Sequence, residues 1–405
     1  MRIKAFQALR PPPELAAQVS CVPYDTVETE EARALAEGNP RSFLHVIRAE
    51  IDLPEGAGIY SDAAYEKAAQ NLRELEDNAS LVREPEPCVY VYRQSIGDHS
   101  QCGVVACCHI EDFENNLIKR HEKTRSEKED DRTRLIMRMR AHAGPVFLTY
   151  RDTRDIDAIV ADVQETEPLF ALTAPDGVEH HVWRVEQHGE LVDAFGGVDA
   201  FYVADGHHRT AAAARAGRDL RAANPDHTGD EEYNWFMTVL FPASQLRIRP
   251  IHRCLSELSG QTAQEFLDAV AEHCLVEARA PAEPSETRRI GAYVGGQWYE
   301  FVRQNNDTGD PVAALDVSFL QDRLLCPILG VCDPRTDDRI DFVAGSRGLE
   351  ELTARVDSGE AEAAFALYPV TVEQVMDIAD EDLIMPPKST WFEPKLRSGL
   401  FVHTF

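Results

Sequence analysis

Tyr202-Val203-Ala204-Asp205-Gly206-His207-His208-Arg209-Thr210-Ala211 joins a short apolar run to an Ala-rich one through a single Asp-Gly pair. The β-prone residues before the pair read as a strand and the Ala-rich stretch after it as a helix, with Asp-Gly at the turn. Backbone N–H groups left free in a helix's first turn, at the positive end of its dipole, make an anion site. Gly206 would let a phosphate approach the backbone closely, and Arg209 could clamp it with two donors. His207, His208 and Thr210 share that first turn. Asp205, at the carboxyl end of the strand, is placed to hold a magnesium ion or to take a proton from an attacking hydroxyl. The competing reading is that Asp205 only caps the helix and the histidines pack or face water.

Outward from this turn, strands and helices alternate. Val89-Tyr90-Val91-Tyr92 and Gly103-Val104-Val105-Ala106 suggest a hairpin. Ser126 with Glu129 matches a capping box, and Leu135, Ile136 and Met139 supply a helical stripe that Gly144-Pro145 closes. Pro145 to Tyr150 reads as a buried strand, Ile156 to Val163 as a helix, and His181 to Val185 and Phe201 to Ala204 as strands. The Ala-rich helix is expected to stop at Gly217. This pattern is α/β (α+β). The boundary is expected near 245–260, giving a phosphate-binding domain over 1–250 and a C-terminal α+β domain over 251–405. The latter ends in the basic, Pro-marked tail Met385-Pro386-Pro387-Lys388-Ser389-Thr390 to Lys395.

Composition narrows the function classes. The 405 residues carry 70 Asp+Glu against 41 Lys+Arg, a formal charge of −29. That balance opposes phosphate-backbone binding, so no nucleic-acid partner is expected. No apolar run approaches the roughly 20 residues a membrane span needs, and the N-terminus lacks a signal-peptide core, which predicts a cytoplasmic protein without membrane partners. The composition permits a homo-oligomer. Nine scattered cysteines read as reduced, mostly buried thiols.

The segment Lys119-Arg120-His121-Glu122-Lys123-Thr124-Arg125 offers a charged face toward a polyanion, or else a solvated helix with internal ion pairs. His121-Glu122 lacks the second histidine of a zinc-protease helix, and Cys102, Cys107, Cys108 and His109 lack zinc-site spacing. There is no Walker-type phosphate loop, no Rossmann turn and no nucleophile elbow. Lys388, Lys395 and Arg397 gather positive charge in the tail, which either folds back on a phosphate site or serves as a docked terminus.

Five stretches carry a family resemblance. They are Val22-Pro23-Tyr24-Asp25, Asn39-Pro40-Arg41-Ser42-Phe43-Leu44-His45-Val46, His121 to Arg132, Ala204 to Arg209, and Met385 to Thr390. With these the chain closely resembles a widespread microbial family known as domain of unknown function "ten-fifteen". The Asp-Gly-His-His-Arg turn also looks like the nucleotide-phosphate motif of the ParB and sulfiredoxin-like fold, which includes kinases acting on free L-serine. That resemblance implies a ParB/sulfiredoxin-like core with insertions, in which Asp205, His207, His208 and Arg209 bind the transferred phosphoryl group and position the serine hydroxyl. A separate carboxylate serves as base in those kinases. Glu122, Asp25 and Glu50 are the candidates here, Glu122 first because His121 and Arg125 flank it.

The resulting expectation is a small-molecule kinase using ATP or ADP with Mg²⁺ and free L-serine as acceptor. Asp205, His207, His208 and Glu122 would be catalytic, Gly206, Arg209, Thr210 and Lys388 would bind phosphate, and Asp205 would hold the metal. The alternatives are a ParB-like nucleotide-binding regulatory module with little or no turnover, or sulfiredoxin-like phosphoryl transfer to an oxidised thiol.

Overall fold

In the computed structural model, which describes residues 1–54, 56–304 and 309–405, the chain divides into two units. One comprises Met1–Leu246 with Pro394–Phe405, the other Arg247–Glu393. The terminal segment expected in the C-terminal domain therefore belongs to the first unit.

The first unit is built on a mixed sheet whose strands are β1 (Ile3–Lys4), β2 (Val89–Ile96), β3 (His99–His109), β4 (Ile118–Lys119), β5 (Val146–Tyr150), β6 (Phe170–Thr173), β7 (Glu179–Val185), β8 (Phe201–Asp205) and β9 (Trp235–Pro242). Their spatial order is β4-β8-β5-β9-β3-β2-β7-β6, with β1 also beside β3. The expected hairpin is β2–β3, turning at Gly97 with φ +58°. From Gln101 to His109 every residue of β3 is buried. A strand covered on both faces reads as a continuous apolar run, so Cys102, Cys107 and Cys108 sit there as small hydrophobes.

The unit's longest helices are α1 (Asp62–Asp77), α2 (Ser126–Met139), α3 (Arg154–Gln164) and α4 (His207–Ala223), and α2 packs on both α1 and α4. The expected capping box at Ser126 does not form: Arg125 holds the cap position without a side-chain bond, and Glu129 instead accepts from the Thr124 hydroxyl at 3.1 Å. The helix ends at Arg140, in the left-handed conformation with φ +56°, ahead of Gly144-Pro145.

Gly217 does not end α4. A Cβ there would lie 2.6 Å from both Ile110 Cδ1 and the Tyr233 carbonyl oxygen. Glycine marks a close approach at this point, and the buried alanines 212, 213, 214 and 216 bring the same helix close to the sheet core.

The second unit carries an antiparallel sheet of β10 (Ile251–Leu255), β11 (Leu275–Ala278), β12 (Arg289–Val294), β13 (Gln297–Val302), β14 (Ile340–Ala344) and β15 (Ala363–Leu367), ordered β11-β13-β12-β15-β10-β14. Its helices include α5 (Ala263–Ala271), α6 (Gly348–Asp357) and α7 (Val372–Asp380), and both α5 and α7 open with a threonine capping box. Both units are thus mixed α+β. Cys326 and Cys332 form a disulfide, against the expectation that all nine thiols are free; the other seven cysteines are free and buried. Among the described residues no helix is long and apolar enough to cross a membrane.

Helix propensity favours alanine over glycine by about 1 kcal/mol, yet the contact at Gly217 forbids a Cβ. Gly217→Ala is therefore expected to lower the melting temperature by several degrees in a thermal scan; a rise would mean that propensity governs the site.

Candidate functional site

β8 delivers the site through an irregularity. Tyr202 pairs with Thr149 and Val203 with Leu148, but the register then slips and Asp205 faces Phe147. A bulge of this kind bends a strand and re-aims the side chain that follows it. Gly206 then takes φ +97° and ψ 30°, and α4 begins with no side-chain cap. A Cβ at Gly206 would lie 3.0 Å from Arg209 Nε, so glycine is required both by the backbone angle and by the guanidinium folded over it.

Asp205 is not the helix cap. Its Oδ2 accepts from Arg209 Nη2 at 2.9 Å, and its Oδ1 lies 3.5 Å from Lys395 Nζ. Burial would raise its pKa, but Lys395, Arg209 and His207 together hold the carboxyl well below the usual carboxylate range. Arg209 also donates through Nη1 to the Pro145 carbonyl, and its buried Nε has no hydrogen-bond partner among the described residues. Burial works against the Arg209 charge, while Asp205, then Asp25 and Tyr24, raise its pKa.

His207 is 6% exposed and packs edge-on against the buried His121, with ring centroids 4.5 Å apart. Its Nδ1 lies 3.8 Å from a carboxylate oxygen of the half-exposed Glu122, and its Nε2 is buried without a hydrogen-bond partner among the described residues. Burial and the neighbouring His121 push its pKa well down, and burial takes His121 to about 4 even though Asp205 pulls the other way. Both rings are neutral at pH 7. His208 accepts the Arg125 backbone N–H on Nε2 at 3.1 Å, which ties the charged segment before α2 to the first turn of α4.

Several expected site residues stand elsewhere. Thr210 is fully buried and returns its hydroxyl to the Gly206 carbonyl at 3.0 Å, leaving nothing to offer a phosphate. Lys388 belongs to the second unit, and the lysine beside Asp205 is Lys395. Glu50 is buried against Arg48 Nε at 2.7 Å, and Arg48 holds the carbonyls of Tyr24 and Val27. It thereby fixes the loop that presents Tyr24 and the exposed Asp25. Asp205 does not suit a magnesium ion, because protein cations face both of its oxygens; among the described residues no group of three His, Cys, Asp or Glu side chains is arranged for a metal.

Sequence reasoning missed the wall beside Arg209. Arg132 stacks over the Tyr24 ring at 4.1 Å, and its Nε donates to Asp131 at 2.6 Å. Tyr24, Arg132, Met139, His142, Arg209 and Ser398 line a cleft of about 560 Å³ that is open in part to solvent. Tyr24, Arg132 and Arg209 each lie in a stretch already singled out. What the sequence could not supply was that the three share one wall.

A family model described as "Protein of unknown function (DUF1015)" matches residues 3–318. The chain belongs to that family. No curated protein matches it. Three solved structures resemble this DUF1015 member. They are a conserved hypothetical protein from Pyrococcus furiosus (14% identity, 74% of this chain and 95% of that one, TM-score 0.36), a free serine kinase in complex with ADP (14%, 74% and 92%, 0.35) and C-terminally truncated SbnI from Staphylococcus aureus (11%, 74% and 87%, 0.36). At that distance the site has to be read from its own geometry.

The neutral histidine pair sets a pH dependence. Both folded-state pKa values lie below the ordinary 6.5, so the unfolded chain binds more protons than the native one as pH falls below that value. Stability is fully present above about 6.5 and is lost on acidification toward 4, by up to about 1.4 kcal/mol per pH unit for each histidine. Urea midpoints at pH 7.5 and 5 check this: the midpoint should fall and His121→Phe should soften the fall, whereas a flat profile contradicts burial of the neutral rings.

Proposed function

We propose that this DUF1015 member is a nucleotide-dependent phosphotransferase that moves a phosphoryl group from ATP or ADP to the hydroxyl of a small molecule, free L-serine being the acceptor expected. The observation that carries the reading is the uncapped mouth of α4, where Arg209 and a neutral His207 whose Nε2 finds no partner among the described residues lie in the first turn and Lys395 stands beside Asp205 just before it. Such a mouth suits an anionic oxygen cluster, and the resemblance of Asp-Gly-His-His-Arg to a nucleotide-phosphate motif agrees with it.

In this account the N–H groups of the first turn and Lys395 bind the phosphates, and His207 Nε2 shares a hydrogen bond with a phosphoryl oxygen. Arg209 holds Asp205 in place and directs its remaining Nε–H donor toward the developing charge. The acceptor oxygen forms a bond to phosphorus as the bridging P–O bond to the nucleotide breaks, and the hydroxyl proton passes to Glu122, the carboxylate beside His207. The bond-breaking oxygen leaves on the nucleotide. Magnesium, when present, would ride on the nucleotide phosphates and neutralise their charge, since Asp205 is already engaged.

The sulfiredoxin-like alternative needs a reactive thiolate. All seven free cysteines are buried, and burial pushes the thiols up, to about 11 at Cys274 and about 12 at Cys102, Cys108 and Cys254. None of these is nucleophilic at neutral pH.

Incubation with ATP, ADP or CTP plus L-serine, followed by phosphoserine detection, tests the proposal. Phosphoserine should form, Glu122→Gln should slow it by about 10²–10⁴-fold, and Arg209→Ala by about 10²–10³-fold with the circular dichroism spectrum retained. Nucleotide binding without turnover, or hydrolysis indifferent to serine, would replace the enzyme with a ParB-like regulatory module.

A further inference from the structure

The second unit contains a buried cation held by backbone carbonyls. Arg253, on β10, is 4% exposed, and its guanidinium bonds are to carbonyls: Nη1 to Ile251, Nη2 to Lys388 at 2.9 Å and to Pro387 at 3.4 Å. The last two acceptors come from the Met385 to Thr390 stretch, where the chain bends through Lys388 with φ +55°. An arginine cannot shed its proton, and a buried charge is costly without a counter-ion. Among the described residues no carboxylate pairs with this one, and burial takes its pKa down to about 9.

Arg253 lines a cleft of about 400 Å³, open in part to solvent, with Asp316, Thr287, Tyr368, Gln374 and Ser389 among its other walls. Asp316 is itself 8% exposed, and both of its oxygens accept the backbone N–H of Arg288. Burial pushes its carboxyl up to about 6, outweighing that hydrogen bond and the charges of Arg303 and Arg288. Arg303 directs its own guanidinium to the carbonyls of Ala313, Ala314 and Leu315. A desolvated cation and a desolvated anion thus border one cleft, neither neutralised by the other.

The geometry points to a binding site for a free α-amino acid within the second unit, the Arg253 guanidinium taking the α-carboxylate in its fork and Asp316 taking the α-ammonium. A zwitterion is the one small solute class that answers both charges while adding none. A simple carboxylate or a phosphate would satisfy Arg253 but leave Asp316 facing further negative charge, and an amine would do the reverse. Planar two-point recognition of a carboxylate is the task for which arginine surpasses lysine. The site uses no residue of the α4 mouth, so it stands or falls separately from the phosphotransfer reading.

The test is isothermal calorimetry on the full chain with each proteinogenic α-amino acid in turn, and with propionate and ethylamine. At least one amino acid should bind saturably at millimolar concentration or below, with the two one-charge probes at least about tenfold weaker. Asp316→Asn, which keeps the shape, and Arg253→Lys, which keeps the charge, should each weaken that amino acid by about tenfold or more, with the melting temperature showing that both variants fold. Asp205→Asn should leave the binding unchanged. Failure of every amino acid to bind, equal binding of propionate, unaltered affinity in Asp316→Asn, or loss of binding in Asp205→Asn would each overturn the assignment; the last would move the amino acid to the phosphotransfer site.

Discussion

A carboxylate partly withdrawn from water at the end of a strand is matched by cations, and in the first unit that pairing organises the surroundings of Asp205. Arg209 reaches back one helical turn to meet it, which forces Gly206 to lack a side chain and leaves the first turn of α4 without a cap. Lys395 comes from the far end of the chain, so the same carboxylate gives the terminal segment Pro394–Phe405 a reason to return to this unit. Removing one member of such a set leaves an uncompensated charge, a larger penalty than the pair's net worth. The arrangement is therefore rigid by electrostatics as much as by packing, and rigidity at the mouth of a helix is what an anion site needs.

Neutral rings complement the charges. His121 and His207 press edge to face where solvent is excluded, and burial keeps them unprotonated. A neutral imidazole beside a cationic mouth can accept or donate one hydrogen bond without adding to the field. Glu122, 3.8 Å from His207 Nδ1, lies at the exposed side of the pair. Order, charge and access thus lie on successive residues of two short segments.

The strand and the helix around Asp205 were legible because period and punctuation agree: apolar Phe201 to Ala204, then Asp-Gly, then alanines. The central hairpin was legible for the same reason. What misled was local chemistry read without its tertiary partner. Gly217 looks like a helix terminator, but it admits Ile110 and the Tyr233 backbone. Ser126 and Glu129 have capping-box spacing, yet Thr124 captures the glutamate. Thr210 stands where a phosphate ligand would, but the helix backbone takes its hydroxyl. Lys388 and Lys395 are indistinguishable in sequence, since each follows a proline in a basic tail; only the fold assigns the second to Asp205 and gives the first unit's cleft its Arg132–Tyr24 wall. Likewise no pattern could show that Arg253, in an unremarkable β-strand, has no counter-ion among the described residues.

The central claim is that the mouth of α4 grips a nucleotide's phosphates, and a crystal structure of the chain grown with ADP and L-serine tests it most directly. The account predicts phosphate oxygens within hydrogen-bond distance of the backbone N–H groups of the first turn and of Lys395, with His207 Nε2 partnered at last. Phosphates bound away from that turn, or a nucleotide that leaves His207 Nε2 and Lys395 untouched, would contradict it.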